Sequence, residues 1–193
     1  MARIILVTGG GRSGKSTHGQ NLAESLEGPR VLVATAVPSD SELEERIRRH
    51  QEARQAGGWS TVEEPVDLAS TIRACGGFPV ILVDCLTMWV NNLLWGKDPR
   101  RADLFRSPDE NDIDQRCSDI LAACHAHRGT VIFITNEVGM GIIPDNPASR
   151  RFRDLLGRCN QRMAAGADSV ILMVSGLPVV LKSSERNTNV SPG

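Results

Sequence analysis

Apolar positions along the chain fall into short runs without polar alternation, separated by longer amphipathic stretches. Arg3-Ile-Ile-Leu-Val-Thr8, Val31–Ala36, Val80-Ile-Leu-Val-Asp84 and Thr130–Thr135 are rich in β-branched residues, the pattern of strands covered on both faces. Lys15–Leu26 reads as a helix stopped by Gly28-Pro29. Ser39-Asp-Ser-Glu42 supplies an N-cap and early carboxylates for a helix through Arg54, closed by Gly57-Gly58. Asp67–Cys75 is a weaker helix; Thr87–Trp95, Ile113–His125 and Ser149–Ala165 are further ones. Val170–Val174 and Val179–Leu181 read as two buried strands around a turn, since Ser175-Gly176 and Pro178 interrupt a stretch far short of the ~20 residues of a membrane span. Gly96–Asp112, with mixed charges and two prolines, reads as a surface loop. Strands alternating with helices predict an α/β fold, a mostly parallel sheet with helices on both faces.

Length and composition narrow the class. The 193 residues suit one domain, taken as 1–182, with the polar stretch 183–193 as a flexible tail. Lys+Arg 22 against Asp+Glu 23 gives a net charge of -1, without the basic excess of a nucleic-acid binder. No secretory leader or membrane span is legible, and the five cysteines show no C-x-x-C spacing. They read as free thiols in a reducing, cytoplasmic setting, not as a zinc cage or disulfide framework. Met88, Trp89 and Trp95 offer apolar surface for an interface, although packing on their own core is the default.

Only three of the cations are lysines, Lys15, Lys97 and Lys182, and the first stands in a motif. Gly9-Gly10-Gly11-Arg12-Ser13-Gly14-Lys15-Ser16 satisfies G-x-x-x-x-G-K-[ST] between a predicted strand and a predicted helix. Glycines let successive backbone N–H groups converge on phosphate oxygens, and the helix N-terminus adds partial positive charge. In such loops the lysine bridges the β- and γ-phosphates and the hydroxyl at Ser16 holds Mg²⁺. Asp84, ending a strand, suits the second Mg²⁺ ligand. Thr87 stands three residues after Asp84 where a signalling GTPase has Gly, and Thr135-Asn-Glu-Val138 is not the N-K-x-D that reads guanine, so that class is disfavoured.

Leu43, Ile47 and His50 fall at i, i+4 and i+7, which puts His50 on the inward stripe of its predicted helix. Arg46 and Arg54 stand one turn either side, suited to phosphate. Neutral imidazole is a competent nucleophile toward phosphorus. From the residues alone, a satisfied structural histidine is the simpler reading. His18, His125 and His127 carry less chemistry.

Several segments taken together resemble one family. Thr8-Gly-Gly-Gly-Arg-Ser-Gly-Lys-Ser16, Arg46-Ile47-x-x-His50, Trp59-x-Thr61-x-Glu63, Thr135-Asn-Glu-Val-Gly-Met-Gly-Ile142, Asn160-Gln-Arg162 and Val174-Ser-Gly176 are similar to the bifunctional adenosylcobinamide kinase / adenosylcobinamide-phosphate guanylyltransferases. The likeness spans roughly residues 3 to 182. It implies phosphorylation of adenosylcobinamide by ATP or GTP, then transfer of GMP from GTP to adenosylcobinamide phosphate, in cobalamin nucleotide-loop assembly. It implies a phosphate-loop NTPase-like fold with a short antiparallel C-terminal strand, for which Gly176-Leu-Pro178 leaves only a tight reversal. A homotrimer is implied as well. The family's guanylylated histidine matches His50, and its nucleotide contacts match Thr8 through Ser16, Ala34-Thr35-Ala36, Gln51-Glu52-Ala53-Arg54, Glu63 and Asp84. Where the family often has aliphatic-Ala-Thr-Ser, this chain has Val33-Ala-Thr-Ala36 and lacks one hydroxyl. The loop Gly96–Asp112 and the tail beyond Lys182 lie outside the likeness. Two rival readings are a single-activity small-metabolite kinase on the same loop and a nucleotide-dependent switch without corrinoid chemistry.

Overall fold

The computed structural model describes residues 1–37, 58–96 and 108–184. Seven strands form one sheet: β1 (Arg3–Gly9), β2 (Arg30–Ala34), β3 (Trp59–Glu63), β4 (Val80–Asp84), β5 (Thr130–Ile134), β6 (Ser169–Val174) and β7 (Leu177–Lys182). Their order is β3-β2-β4-β5-β1-β6-β7. All neighbours run parallel except β6 and β7, which pair antiparallel. The α/β, phosphate-loop NTPase-like class predicted above is the one observed.

Side-chain alternation divides the core in two. Ile4 and Leu6 of β1 face one side, packed with Val31, Val33, Ile81, Val83, Val131 and Phe133. Ile5 and Val7 face the other, with Leu32, Leu82, Ile132 and Ile134. On that second face lies α1 (Lys15–Glu24), against β1, β4 and β5. Its Gly19 is there because a Cβ would stand 2.5 Å from Ile134 Cδ1. The first face is covered by α2 (Leu68–Ala74), α3 (Leu86–Trp95), α4 (Glu110–Ala126) and α5 (Pro147–Gly166). Each large apolar side chain removed from water there contributes roughly 1.5–3 kcal/mol.

Helix ends and one charged cluster fix the outer layer. Asp109 and Asp112 cap α4 reciprocally: Asp112 N donates to Asp109 Oδ1 at 2.9 Å, and Asp109 N to Asp112 Oδ2 at 3.1 Å. Asn146 Oδ1 accepts from Ser149 N at 2.7 Å, and Pro147 opens α5. Arg158 of α5 forks onto Asp114 of α4 at 2.7 and 2.6 Å, and Arg162 lies 3.4 Å from the same carboxylate. The Arg158 bonds hold the Asp114 carboxyl below its ordinary range. The cysteines are free thiols, four buried and Cys85 half-buried.

The chain departs from the sequence expectations in four places. Residues 59–63 form an edge strand that the apolar pattern does not announce, because Ser60, Thr61, Val62 and Glu63 are exposed and three of them are polar. The second strand stops at Ala34, not Ala36. The helix expected from Ile113 starts at Glu110, on its aspartate capping box. Leu177–Lys182 does not complete a buried core: every residue of β7 is exposed. Trp89 follows the default reading and packs on its own core: it is 1% exposed, and its Nε1 donates to Val66 O at 2.7 Å. The predicted helix at 39–54, most of the loop at 96–112 and the tail beyond 184 lie outside the described residues.

Candidate active site

Parallel strands deliver their C-terminal ends to one edge of the sheet, and the sequence motifs gather there. Ala34 is the register partner of both Glu63 and Asp84, so three of the expected nucleotide contacts stand in one row across β3, β2 and β4. Gly9 ends β1 in register with Met173. The loop Gly10–Gly14 then leads into α1, whose first residue is Lys15.

Two backbone positions of this loop exclude ordinary side chains. Gly9 has φ +151, and a Cβ there would lie 2.5 Å from the Met173 carbonyl oxygen. Gly14 has φ +94, with Gly176 Cα 3.3 Å from its would-be Cβ. Arg12, a residue with a side chain, also sits in the left-handed region at φ 56, a conformation that costs roughly 1–2 kcal/mol outside glycine. The loop is braced from both sides. Glu137 N donates to Gly9 O at 2.9 Å, and Gly176 N donates to Ser13 O at 3.0 Å.

Lys15 is 7% exposed. Its ammonium donates to the Gly10 carbonyl oxygen and lies 3.4 Å from Ser13 Oγ, folded over the loop it springs from. A triphosphate in the loop would offer charged oxygens in place of a neutral carbonyl, a stronger partner for the same ammonium. Thr8 Oγ1 is buried and has no hydrogen-bond partner among the described residues. Ser16 on the first turn of α1 and Asp84 at the end of β4 present hydroxyl and carboxylate oxygens, the hard donors a divalent cation such as Mg²⁺ takes. The negative charge at Asp84 is felt next door: burial first, then this carboxylate, pushes the Cys85 thiol up to about 11. Cys85 therefore stays a thiol at neutral pH and is no competitor as nucleophile.

Thr35 turns inward. It is 0% exposed, its hydroxyl exchanges hydrogen bonds with Cys85 N and O at 2.7 Å, and its N–H donates to Asp84 O at 3.2 Å. Its carbonyl accepts from Asn92 Nδ2 at 2.7 Å. All its polar groups are engaged in tying β2 to the Asp84–Cys85 turn, so Thr35 positions the site from behind. Ala34 and Ala36 flank it, each half-buried. His50 and Gln51, Glu52, Ala53 and Arg54 lie outside the described residues.

Residues without an assigned role in the sequence reading also build this edge. Asn160 of α5 accepts from Thr135 Oγ1 at 2.7 Å and donates to Asn136 O at 2.9 Å. Thr87 Oγ1 accepts from Asn136 N at 2.7 Å, and Thr135 N donates to Val7 O at 3.0 Å. Together they fix the segment that reaches Gly9. A polar residue on an otherwise apolar helix face was the available signal for Asn160.

The family model described as cobinamide kinase / cobinamide phosphate guanyltransferase matches residues 5–181. The chain belongs to this family. It is 44% identical over 187 residues to the bifunctional adenosylcobalamin biosynthesis protein of Salmonella typhimurium, covering 93% of this chain and 99% of that protein. The Escherichia coli counterpart is 41% identical with the same coverage. That of Pseudomonas aeruginosa is 38% identical over 178 residues, covering 92% and 96% of the two chains. The family match runs through both braces of the loop, Glu137 and Gly176.

Asn160→Ala removes both bonds of a part-buried amide and leaves Thr135 and the Asn136 carbonyl short of partners. Urea unfolding should show a loss of about 1–3 kcal/mol. A loss under about 0.3 kcal/mol would mean that the amide is not part of the brace.

Proposed function

We propose that this chain carries out both reactions its family is named for. It phosphorylates the aminopropanol hydroxyl of adenosylcobinamide, and it transfers GMP from GTP to adenosylcobinamide phosphate, within cobalamin nucleotide-loop assembly. The observation that carries this reading is family membership over nearly the whole chain, joined to a phosphate loop braced at the strand ends. The site residues are those named from the sequence: Thr8 through Ser16, Ala34 to Ala36, Gln51 to Arg54, Glu63 and Asp84 around the nucleotide, with Lys15 and His50 catalytic.

In the kinase step, with ATP or GTP as donor, the backbone N–H groups of the loop and the Lys15 ammonium bind the β- and γ-phosphates. The corrinoid hydroxyl attacks the γ-phosphorus and the nucleoside diphosphate leaves. Ser16 and Asp84 would hold Mg²⁺, which when bound offsets negative charge on the phosphates. Lys15 is already buried beside the loop, so little solvent must be reorganised when charge develops.

The second step needs a different nucleophile. A phosphate monoester repels the triphosphate it must attack, and dividing the displacement between two nucleophiles relieves this. In our reading a ring nitrogen of His50 attacks the α-phosphorus of GTP, an N–P bond forms, and pyrophosphate leaves. A phosphate oxygen of adenosylcobinamide phosphate then takes the GMP and frees the imidazole.

We also infer a homotrimer, the number of chains coming from the family resemblance and the contact surface from β7. β7 is an edge strand with Leu177, Val179, Val180 and Leu181 at 69, 46, 63 and 59% exposure, and an open apolar edge invites pairing with another chain. Lys182 pins its end to the last turns of α5 through the Ala164 and Ala165 carbonyls at 3.1 and 2.9 Å. The strand is thereby presented in a fixed position.

Three outcomes follow. Lys15→Ala should lower kcat/KM of both reactions by about 10²–10³-fold, the scale of losing one strong electrostatic contact; a near-normal kinase rate would remove Lys15 from the γ-phosphate site. His50→Ala should abolish protein labelling by α-labelled GTP and formation of adenosylcobinamide-GDP, yet leave most kinase activity. The wild-type label should be acid-labile, base-stable and formed more slowly below about pH 6, where the ring protonates. Label retained on His50→Ala would put the nucleophile elsewhere, and no label on wild type would leave a simple kinase. Val180→Glu should reduce the mass in light scattering from three chains to one; an unchanged trimer would show that β7 is not the contact.

A further inference from the structure

The segment between Val138 and Pro144 is fastened at both ends and apolar in the middle. At its start, Glu137 N is bonded to Gly9 O, and Glu137 Oε1 accepts from Gly139 N at 2.6 Å. At its end, Arg150 Nη1 donates to Pro144 O at 2.8 Å and Asp145 O at 2.6 Å. Between these anchors Met140, Ile142 and Ile143 are 82, 97 and 65% exposed. None of the three belongs to either core cluster. Large apolar side chains held in water by a fixed loop mark a surface that meets something else.

Position selects the occupant. The loop begins at the residue that braces Gly9, so it stands beside the phosphate loop at the C-terminal edge of the sheet. The segment leaves from β5, the central strand of the order β3-β2-β4-β5-β1-β6-β7, with β1 and β6 between it and the edge strand β7 through which a second copy would pair. An acceptor whose hydroxyl must reach the γ-phosphate has to lie over this edge. Cobinamide, the substrate class in the family's description, is a broad macrocycle with a methyl-studded rim, and its reactive hydroxyl sits on a flexible side arm. Methionine adapts to such an irregular surface, and the glycines at 139 and 141, each without a Cβ, leave room for close approach. Gly141 has no atom within 4 Å of where its Cβ would stand.

We propose that Met140, Ile142 and Ile143 form the corrinoid-docking surface, taking the apolar rim of the macrocycle while its side arm reaches the phosphate loop. The proposal rests on the functional reading above and adds the residues that recognise the acceptor. It makes the loop a binding element and leaves nucleotide chemistry to the loop at 9–16.

The test is equilibrium dialysis of the full chain against adenosylcobinamide, read by corrin absorbance, beside labelling by α-labelled GTP. Met140→Ser with Ile142→Ser should weaken corrinoid binding at least tenfold. GTP labelling, thermal midpoint and oligomeric mass should stay unchanged, because both side chains are solvent-exposed. Met140→Leu with Ile142→Leu should restore binding to within about threefold. Wild-type affinity in the serine variant overturns the proposal while leaving the enzymatic reading intact. An equal fall in GTP labelling would assign the loop to the nucleotide site, and a change of mass would make it a subunit contact; either overturns it. Failure of the wild type to bind adenosylcobinamide would overturn the functional reading together with this one.

Discussion

A side chain cannot be accommodated at position 9. The Met173 carbonyl oxygen stands 2.5 Å from where a Cβ would be, because β1 and β6 approach closely as the chain leaves the sheet for the phosphate loop. The same closeness allows Gly9 O to accept from Glu137 N and Ser13 O to accept from Gly176 N. Two segments distant in sequence thus converge on one loop through backbone groups alone. Backbone contacts suit a phosphate cradle, since they fix donor directions without the rotamer freedom of side chains.

That convergence explains why the antiparallel hairpin belongs to the machinery. Gly176 lies at its turn, with φ +85, and the turn abuts Gly14 at the entrance to α1. β6 is therefore anchored twice, by pairing with β1 and by its turn against the loop. β7 carries none of this load, and its side chains are free to serve another surface. The β5–α5 connection divides in a similar way. Thr135, Asn136 and Glu137 are held by Asn160, Thr87, Val7 and Gly9, and Val138 packs on the core, whereas residues 139–143 are exposed.

How legible each part was in the sequence follows from what holds it. β1, β4 and β5 are buried on both faces, so their apolar runs announced them. The phosphate loop was legible because glycine is obligatory where φ is positive and space is absent. β3 was not, since Ser60, Thr61 and Glu63 are polar and its place comes from pairing with β2; edge strands of this kind owe their structure to a neighbour. β7 misled for the opposite reason: an apolar run signals burial against something, but not whether that something is the same chain. The hydroxyl of Thr35 exchanges hydrogen bonds with Cys85, fifty residues on, a pairing that no spacing in the sequence announces.

The split between fixed and unsupported residues bears on how one site can serve two acceptors. A hydroxyl arm and its phosphorylated form differ by one charged group, while the macrocycle attached to them is the same. Apolar recognition by the 138–144 segment would be indifferent to that group, because hydrophobic contact follows area and not charge. Discrimination between the two reactions would then fall to the nucleotide side, where Lys15, Asp84 and the loop amides respond to charge. A fixed apolar platform beside a charged cradle lets the same acceptor return for the second reaction. Its own phosphate, not a new binding surface, then decides which phosphorus it meets.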